Sequence, residues 1–531
     1  MEAIFTNIQL IIIVLYFALT VVVGLLAMRK TKGSDSFHGV AMGMFAIVAA
    51  SAGEWLGGTS TTGVAEYGFD YGLSGAWYTI SNGIGTMFLA LLFAKLYRSL
   101  NSVTVPGIIE KFFGVRARSV SSVLLTIVML AVGLSQMIAA GKLGESLLGI
   151  PFVYSVIGFA VIFIVYTLAG GMNAVASTNK IHLFVMYGGA IVAVIFAVVK
   201  LGGLSEISTA LGTVSAGTQA AIDGAKAVAE TAGKTLKVSP QGDASRYFGM
   251  MTIGFTKVSS WVIASLLGAC TAQAGIQPIL AAKNVATAKK AAIITAFVCA
   301  PFGLLTAFLG IVAKALFNNG TMVYDATGAL INGKSALPTL MMNIHDNPAV
   351  GGIIGGIVLA SILAAILSTV SPIILASGTM ITKDLYQRVF KPEATDKEVL
   401  RISRVTTALS GVVCTIGAIA LVEMSAVLDI VYAAYSLRGA IFVIVLLGIY
   451  WKLASEKAAC RSMICTGVVA VFWKAYNLVN FKEIVNGVET VVHHYPIADW
   501  ISETYAAVIV AAITMVLLSL VFPKKDSAAK A

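Results

Sequence analysis

What most constrains this chain is a series of apolar windows, each about the length of a bilayer-spanning helix, recurring from one end to the other. Crossing the hydrocarbon core takes roughly 20 mostly apolar residues in helical form. Thirteen windows meet that length: 8–28, 39–67, 72–97, 119–147, 152–170, 178–201, 247–275, 290–316, 348–378, 402–422, 426–450, 458–478 and 501–522. They are too long and too evenly apolar for barrel strands, so the expectation is an all-α integral membrane protein with thirteen transmembrane helices. Only 11% of the residues are charged, against about 25% in ordinary soluble domains, which excludes a soluble enzyme.

The loops sort by charge. With the N-terminus outside, the inner loops fall at 29–32, 95–118, 180, 283–290, 383–404, 452–461 and 524–530, and hold about two dozen of the 36 Lys and Arg. The short outer loops near 68–72, 148–151 and 423–425 hold none. The positive-inside rule therefore predicts an N-terminus outside, a C-terminus inside and a multi-pass location in the plasma membrane. The net charge of +11 is this asymmetry, split among short loops, and not a nucleic-acid footprint. The first window is preceded by Glu2 and followed by Arg29 and Lys30, which reads as a retained anchor, not a cleaved signal. The 5 cysteines form no CxxC pair, so apolar packing is expected and neither a disulfide nor a zinc site.

The whole chain, 1–531, reads as one transmembrane domain. Outer loop 203–246, rich in Ala, Gly, Ser and Thr, is expected to form a surface helix, and 317–347 carries Asn-Gly and Asn-Pro turn signals. Two windows differ from the rest. Window 39–67 holds Ser51, Gly53, Glu54, Gly57, Gly58 and Thr59 to Thr62, and window 247–275 holds Lys257, Ser259, Ser260, Ser265, Gly268, Thr271 and Gln273. Interrupted helices at matching places in two halves point to a secondary transporter, because irregular backbone at that depth is tolerated only where it lines a cavity.

Four stretches, in order, resemble the sodium:solute symporter family: "SAGEWLGGTSTTGVAEYGFDYGLSG" from Ser51, "YTLAGGMNAVASTNKIH" from Tyr166, "GIQPILAAKNVATAKKAA" from Gly275 and "ASILAAILSTVSPIILASGTMITKDLYQRV" from Ala360. The resemblance runs from about residue 8 to residue 460. It implies a LeuT-type core of two inverted five-helix repeats, about 39–201 and 247–450, with extra helices at 8–28, 458–478 and 501–522.

Ser368 and Thr369 place two adjacent hydroxyls in an apolar window, with Ala365 one turn earlier. The resemblance implies that Ala365, Ser368 and Thr369 hold a sodium ion together with two carbonyls of the broken helix, which map to Ile47 and Ala50. The alternative is that both hydroxyls bond back to carbonyls of their own helix. Where the family has an Asp after the threonine, this chain has Asn179, followed by Lys180. Two readings stand for that departure: Lys180 sits at the cytoplasmic mouth, or its ammonium replaces or weakens the ion.

The resemblance places the substrate among Ser51, Glu54, Trp55, Thr79, Asn82, Ser265 and Gly268. Glu54 could take an ammonium or carry a proton. Trp55 could stack on a cation or anchor helix packing. Arg438 has three partners open to it: Glu54, Asp429 or a substrate carboxylate. Lys257 reads as a snorkelling residue near the outer surface. His493 and His494 are adjacent and point apart, so no metal site is expected there.

The expected function is sodium-coupled symport, by alternating access, of a small organic solute that is amino-acid-like, an amine or a carboxylate. The alternative keeps the fold but is proton-coupled, an exchanger or a sodium-independent facilitator, because of Asn179 and Lys180. No HExxH, P-loop or GxSxG is present, so an enzyme is not expected. The implied partners are the solute, sodium and the lipid bilayer, with no nucleic acid, and no cofactor beyond sodium as coupling ion.

Overall fold

The computed structural model describes residues 2–28, 42–231, 243–325, 327–423, 427–479, 481–485, 488–492 and 494–524. Arg29, Lys30, Lys32, Lys525 and Lys530, which the sequence assigns to inner loops, and also His493, lie outside the described residues.

The principal helices are α1 (Glu2–Met28), α2 (Met44–Trp55), α3 (Val64–Tyr71), α4 (Trp77–Phe88), α5 (Val115–Leu148), α6 (Phe152–Leu201), α7 (Phe255–Gly268) and α8 (Gln273–Leu280). They continue as α9 (Val285–Cys299), α10 (Phe302–Asn318), α11 (Pro348–Thr379), α12 (Asp396–Leu421), α13 (Val427–Tyr450), α14 (Glu456–Asn477) and α15 (Glu503–Val521). The longer loops add short helices, among them Ala216–Thr231 and Gly333–Met342, and an antiparallel hairpin pairs Phe481–Val485 with Val488–Val492. The surface helix expected in 203–246 is thus present, whereas the hairpin is not one of the expected elements.

The outer surface is apolar, and a set of polar side chains is buried within the largely apolar interior. On α1, Ile11, Leu15 and Leu19 are exposed, and on α12 so are Val405, Leu409, Val412 and Ile416. Apolar side chains on an outer surface at helical spacing are the mark of lipid contact. At the centre lies α11, which is buried without interruption from 358 to its end at 379. Residues 47–69 are buried just as continuously, and they carry Glu54 and the hydroxyls of Thr59 to Thr62. This is a multi-pass membrane protein whose polar residues converge inward.

Among the described residues, nine helices are long and apolar enough to cross a membrane, and ten if the bent pair α7–α8 is one span. Three shorter apolar helices, Ile8–Gly24, Met44–Trp55 and Phe152–Val165, fall in the windows 8–28, 39–67 and 152–170. The count of thirteen is therefore not reached on length and apolarity alone. One reason is the break after α2. Another is α6, which runs for 50 residues. At 1.5 Å per residue it would be about 75 Å long if straight, far beyond a bilayer. It kinks at Gly171, whose φ of 56° and ψ of −155° suit glycine alone, and so serves windows 152–170 and 178–201 in turn.

The two interrupted helices meet. α2 ends at Trp55, Leu56 leaves helical geometry at φ −108° and ψ 63°, and the chain re-enters helix through a π-helical turn, Thr59–Gly63, into α3. α7 gives way to a 3-10 turn, Ala269–Thr271, and then to α8 across a 43° bend. The Met42 N–H donates to the Ala281 carbonyl at 2.8 Å, and the Lys283 N–H to the Met42 carbonyl at 3.2 Å. Ser51 then donates to the Gly275 carbonyl at 2.9 Å. The start of the first broken helix is thereby fastened to the end of the second.

Candidate functional site

A helix that stops leaves its last carbonyls without N–H partners. At the end of α2 these are met by hydroxyls from the centre of α11. Thr369 Oγ1 donates to the Gly53 carbonyl. Ser368 Oγ lies 2.8 Å from the Ala365 carbonyl and 3.4 Å from that of Leu56. Five uncharged oxygens from two helices are thus gathered: the carbonyls of Gly53, Leu56 and Ala365, and the hydroxyls of Ser368 and Thr369. Only glycine permits the approach. A Cβ on Gly57 would lie 2.3 Å from Thr369 Oγ1, and one on Gly53 2.2 Å from Asn179 Nδ2.

The carbonyls beside the hydroxyls belong to Gly53 and Leu56, where the resemblance mapped Ile47 and Ala50. Those two residues are buried in the regular part of α2, whose carbonyls take the N–H four residues on. The helix persists through the alanine-rich stretch and breaks only at Leu56–Gly58, six residues later than expected. Ala365, Ser368 and Thr369 do lie together.

Asn179 Nδ2 donates to the Ser368 carbonyl at 3.1 Å, so it touches the backbone of this group. Lys180 is half-buried and makes no ion pair among the described residues. Across the break, the Gly58 N–H donates to Gln136 Oε1 at 2.6 Å, and Gln136 Nε2 reaches Thr59 Oγ1 at 3.2 Å. Gln136 caps the second half of the broken helix as Ser368 and Thr369 cap the first. It was not anticipated, because a lone glutamine on a distant helix carries no local signal.

Glu54 lies between the two carbonyls in sequence and pairs with Arg438 of α13. Nη1 and Oε1 are 3.0 Å apart, and neither side chain is exposed. Of the three partners open to Arg438, the structure gives it Glu54. The guanidinium carbon is 3.6 Å from the centre of the Tyr435 ring and 5.0 Å from that of Trp55. Gly268 packs against it, since a Cβ there would lie 2.9 Å from Nε. Ser51, Glu54, Trp55, Gly268 and Arg438 therefore form one neighbourhood with Gly275.

Asn82 and Ser265 meet beside it. Ser265 Oγ donates to Asn82 Oδ1 at 3.0 Å and to Ser81 Oγ at 3.3 Å. Ser81 bonds to the Tyr432 hydroxyl at 3.0 Å, and Tyr78 to Thr59 at 2.9 Å and Tyr435 at 3.3 Å. Thr79 faces elsewhere. It accepts the Gly303 N–H at 2.9 Å and donates to the Ala300 carbonyl at 3.0 Å, clamping the α9–α10 junction. The tyrosines were missed, although Tyr432, Tyr435 and Arg438 follow one another at three-residue spacing, which puts them near one face of α13.

Two ion-pair groups flank the centre along the helices. Lys257 Nζ is 3.0 Å from Asp429 Oδ1, and the Tyr67 hydroxyl donates to the same oxygen at 2.7 Å. Lys257 is thus held in a specific pair and does not simply snorkel. At the other end Arg118 bridges Asp384 at 2.6 Å and Glu110 at 2.5 Å, and Arg388 reaches Glu110 at 2.5 Å. Partial burial raises the Glu110 carboxyl, but the hydrogen bonds and charges of Arg388 and Arg118 outweigh it and hold the group below its ordinary value.

The cysteines are free, and among the described residues no cluster of three His, Cys, Asp or Glu is placed to hold a metal. His494 pairs with Asp499 at 2.9 Å.

The family model for the sodium:solute symporter family matches residues 37–466. The chain belongs to that family. A sodium/glucose cotransporter of Vibrio parahaemolyticus is 23% identical to this symporter over 482 residues, 88% of the chain and 85% of the relative. The fold is that of a sodium-coupled sialic acid symporter solved in a substrate-bound, outward-open state, with a TM-score of 0.71 at 17% identity over 97% of this chain and 99% of the other. A nucleobase-cation-symport-1 family transporter, solved closed around bromovinylhydantoin, overlays with a TM-score of 0.54 at 12% identity over 94% of this chain and 98% of the other. The symporter thus has the all-α, LeuT-type architecture, and sodium-coupled symport of a solute is its activity class; its relatives are transporters, not enzymes.

Proposed function

We propose that the symporter carries a small organic solute, amino-acid-like, an amine or a carboxylate, and is driven by a sodium ion held by the carbonyls of Gly53, Leu56 and Ala365 and the hydroxyls of Ser368 and Thr369. The observation that carries this reading is the gathering of five uncharged oxygens at a helix break. Freed carbonyls and hydroxyls replace the hydration shell of a hard cation without adding charge. In the structure both hydroxyls spend their protons on the carbonyls. To receive sodium they rotate, present lone pairs, and give up a hydrogen bond in exchange for an ion contact.

The ion couples to the solute through α2. Gly53 and Leu56 would hold sodium, while Glu54 and Trp55 between them would face the solute, so occupation of one site orders the other. Ion binding then shifts the balance between outward and inward states only by its difference in affinity for the two. The chain acts as one transmembrane unit in the plasma membrane, N-terminus outside and C-terminus inside, with repeats at 39–201 and 247–450.

A second reading has one observation in its favour. Asn179 presents an amide N–H to the Ser368 carbonyl and gives the ion no charge, which suits coupling to protons, exchange or facilitation. Melting temperature of the purified protein in NaCl and in KCl, at equal ionic strength, separates the two. An ion bound only by the folded state stabilises it by about 2.7 kcal/mol at a hundred times its dissociation constant. A rise specific to sodium supports the first reading, and equal melting in both salts supports the second.

A further inference from the structure

Glu54 and Arg438 hold hydrogen-bonding capacity that their pairing leaves unused. A guanidinium and a carboxylate can make two parallel bonds, but this pair makes one, Nη1 to Oε1. Arg438 Nε and Arg438 Nη2 are buried without a hydrogen-bond partner, and Glu54 Oε2 has at most the nearby Gly275 backbone N–H, short of normal geometry. A buried ion pair offsets its desolvation only when its remaining lone pairs and protons are satisfied. Buried polar atoms left over in this way call for an explanation, and a ligand is one. Gly275 lies against Oε2 and Gly268 against Nε, where a Cβ would lie 2.5 Å and 2.9 Å away respectively, so these glycine backbones close over the pair and it has to open to admit a ligand. No side chain from α7 or α8 competes for those atoms, and the rings of Trp55 and Tyr435 flank the guanidinium.

We propose that the solute is a zwitterion that opens this pair and takes one charge from each partner, an inference that rests on the symporter reading above. The solute carboxylate receives the Arg438 donors, and its cationic nitrogen faces the Glu54 carboxylate and the aromatic rings. Charge balance favours this class. Exchanging one buried pair for two leaves the neighbourhood neutral. A lone carboxylate satisfies Arg438 but sets a second anion beside Glu54, and a lone amine sets a second cation beside Arg438. A neutral polyol gives neither group an opposite charge, and the spare valences remain poorly met.

The test is a thermal-stability screen of the purified full chain in NaCl. The probes are the proteinogenic amino acids and glycine betaine, each beside its decarboxylated amine and its acid lacking the amino group. At least one zwitterion is expected to raise the melting temperature, with its amine and its acid inactive at the same concentration. For that zwitterion Arg438→Gln and Glu54→Gln should each weaken binding at least about thirtyfold. The double variant, which buries no charge there, should keep the sodium response and lose the zwitterion response. If a protein that responds to sodium responds to no zwitterion, the proposal fails while the symporter reading stands. It also fails if an amine, an acid or a sugar alone stabilises as strongly, or if the double variant still responds to the zwitterion. Silence toward both sodium and zwitterions overturns both readings.

Discussion

Arg438 of α13 and Glu54 at the end of α2 meet 3.0 Å apart with neither side chain exposed. They tie the broken helix to a helix far along the chain. Removing one partner strands a buried charge, which costs about 3–5 kcal/mol, whereas neutralising both costs far less. Arg438→Met is therefore expected to destabilise strongly, and Arg438→Met with Glu54→Gln to recover most of the loss. Denaturant unfolding in detergent checks this as a double-variant cycle, and equal losses in the single and double variants would count against it.

The glycines at the break are needed for space. Gly57→Ala would drive a Cβ to 2.3 Å from Thr369 Oγ1 and should abolish the sodium-specific rise in melting temperature. Gly188→Ala is the control, because nothing lies within 4 Å of its added Cβ. It should melt as the parent does and respond to sodium equally.

Gln136 should matter through the backbone it caps. Gln136→Leu leaves the buried Gly58 N–H without its acceptor, at a cost of about 1–3 kcal/mol. Faster hydrogen exchange confined to the Leu56–Gly58 break and the turn after it is the expected signature. Unchanged exchange there would mean that the cap contributes nothing.

The ion-pair group of Arg118, Glu110 and Arg388 predicts a pH dependence. The folded Glu110 carboxyl sits below its ordinary value of 4.5, so its pairing stabilises fully above that pH and is lost as pH falls through the folded value. The melting temperature should drop on acidification below 4.5, and the drop should be shallower in Glu110→Gln. An identical acid response in the variant would remove Glu110 from the account.

Much of the fold could be read from the sequence, because lipid forces a long apolar window wherever a helix crosses. The two interrupted windows were also legible, since glycines and hydroxyls at that depth have few other uses. The register of the first break was not. "VAASAG" looks weak for its small residues, yet alanine is the strongest helix former, so the helix runs on to the paired Gly57 and Gly58. That Ser51, Glu54 and Trp55 lie beside the break was readable from their own window. Their tertiary partners Gln136 and Tyr78, and the choice of Glu54 over Asp429 for Arg438, depend on how distant helices face one another. The spacing of "VYAAYSLRG" gave the face of α13 but not what that face meets.

The most direct test is a sodium-binding isotherm on purified protein without solute, for the parent chain and for Ser368→Ala with Thr369→Ala. Saturable sodium binding is expected in the parent chain and its loss in the double variant, which still folds, because two of the five gathered oxygens are gone. Sodium binding that persists unchanged in the double variant would contradict the proposed ion site.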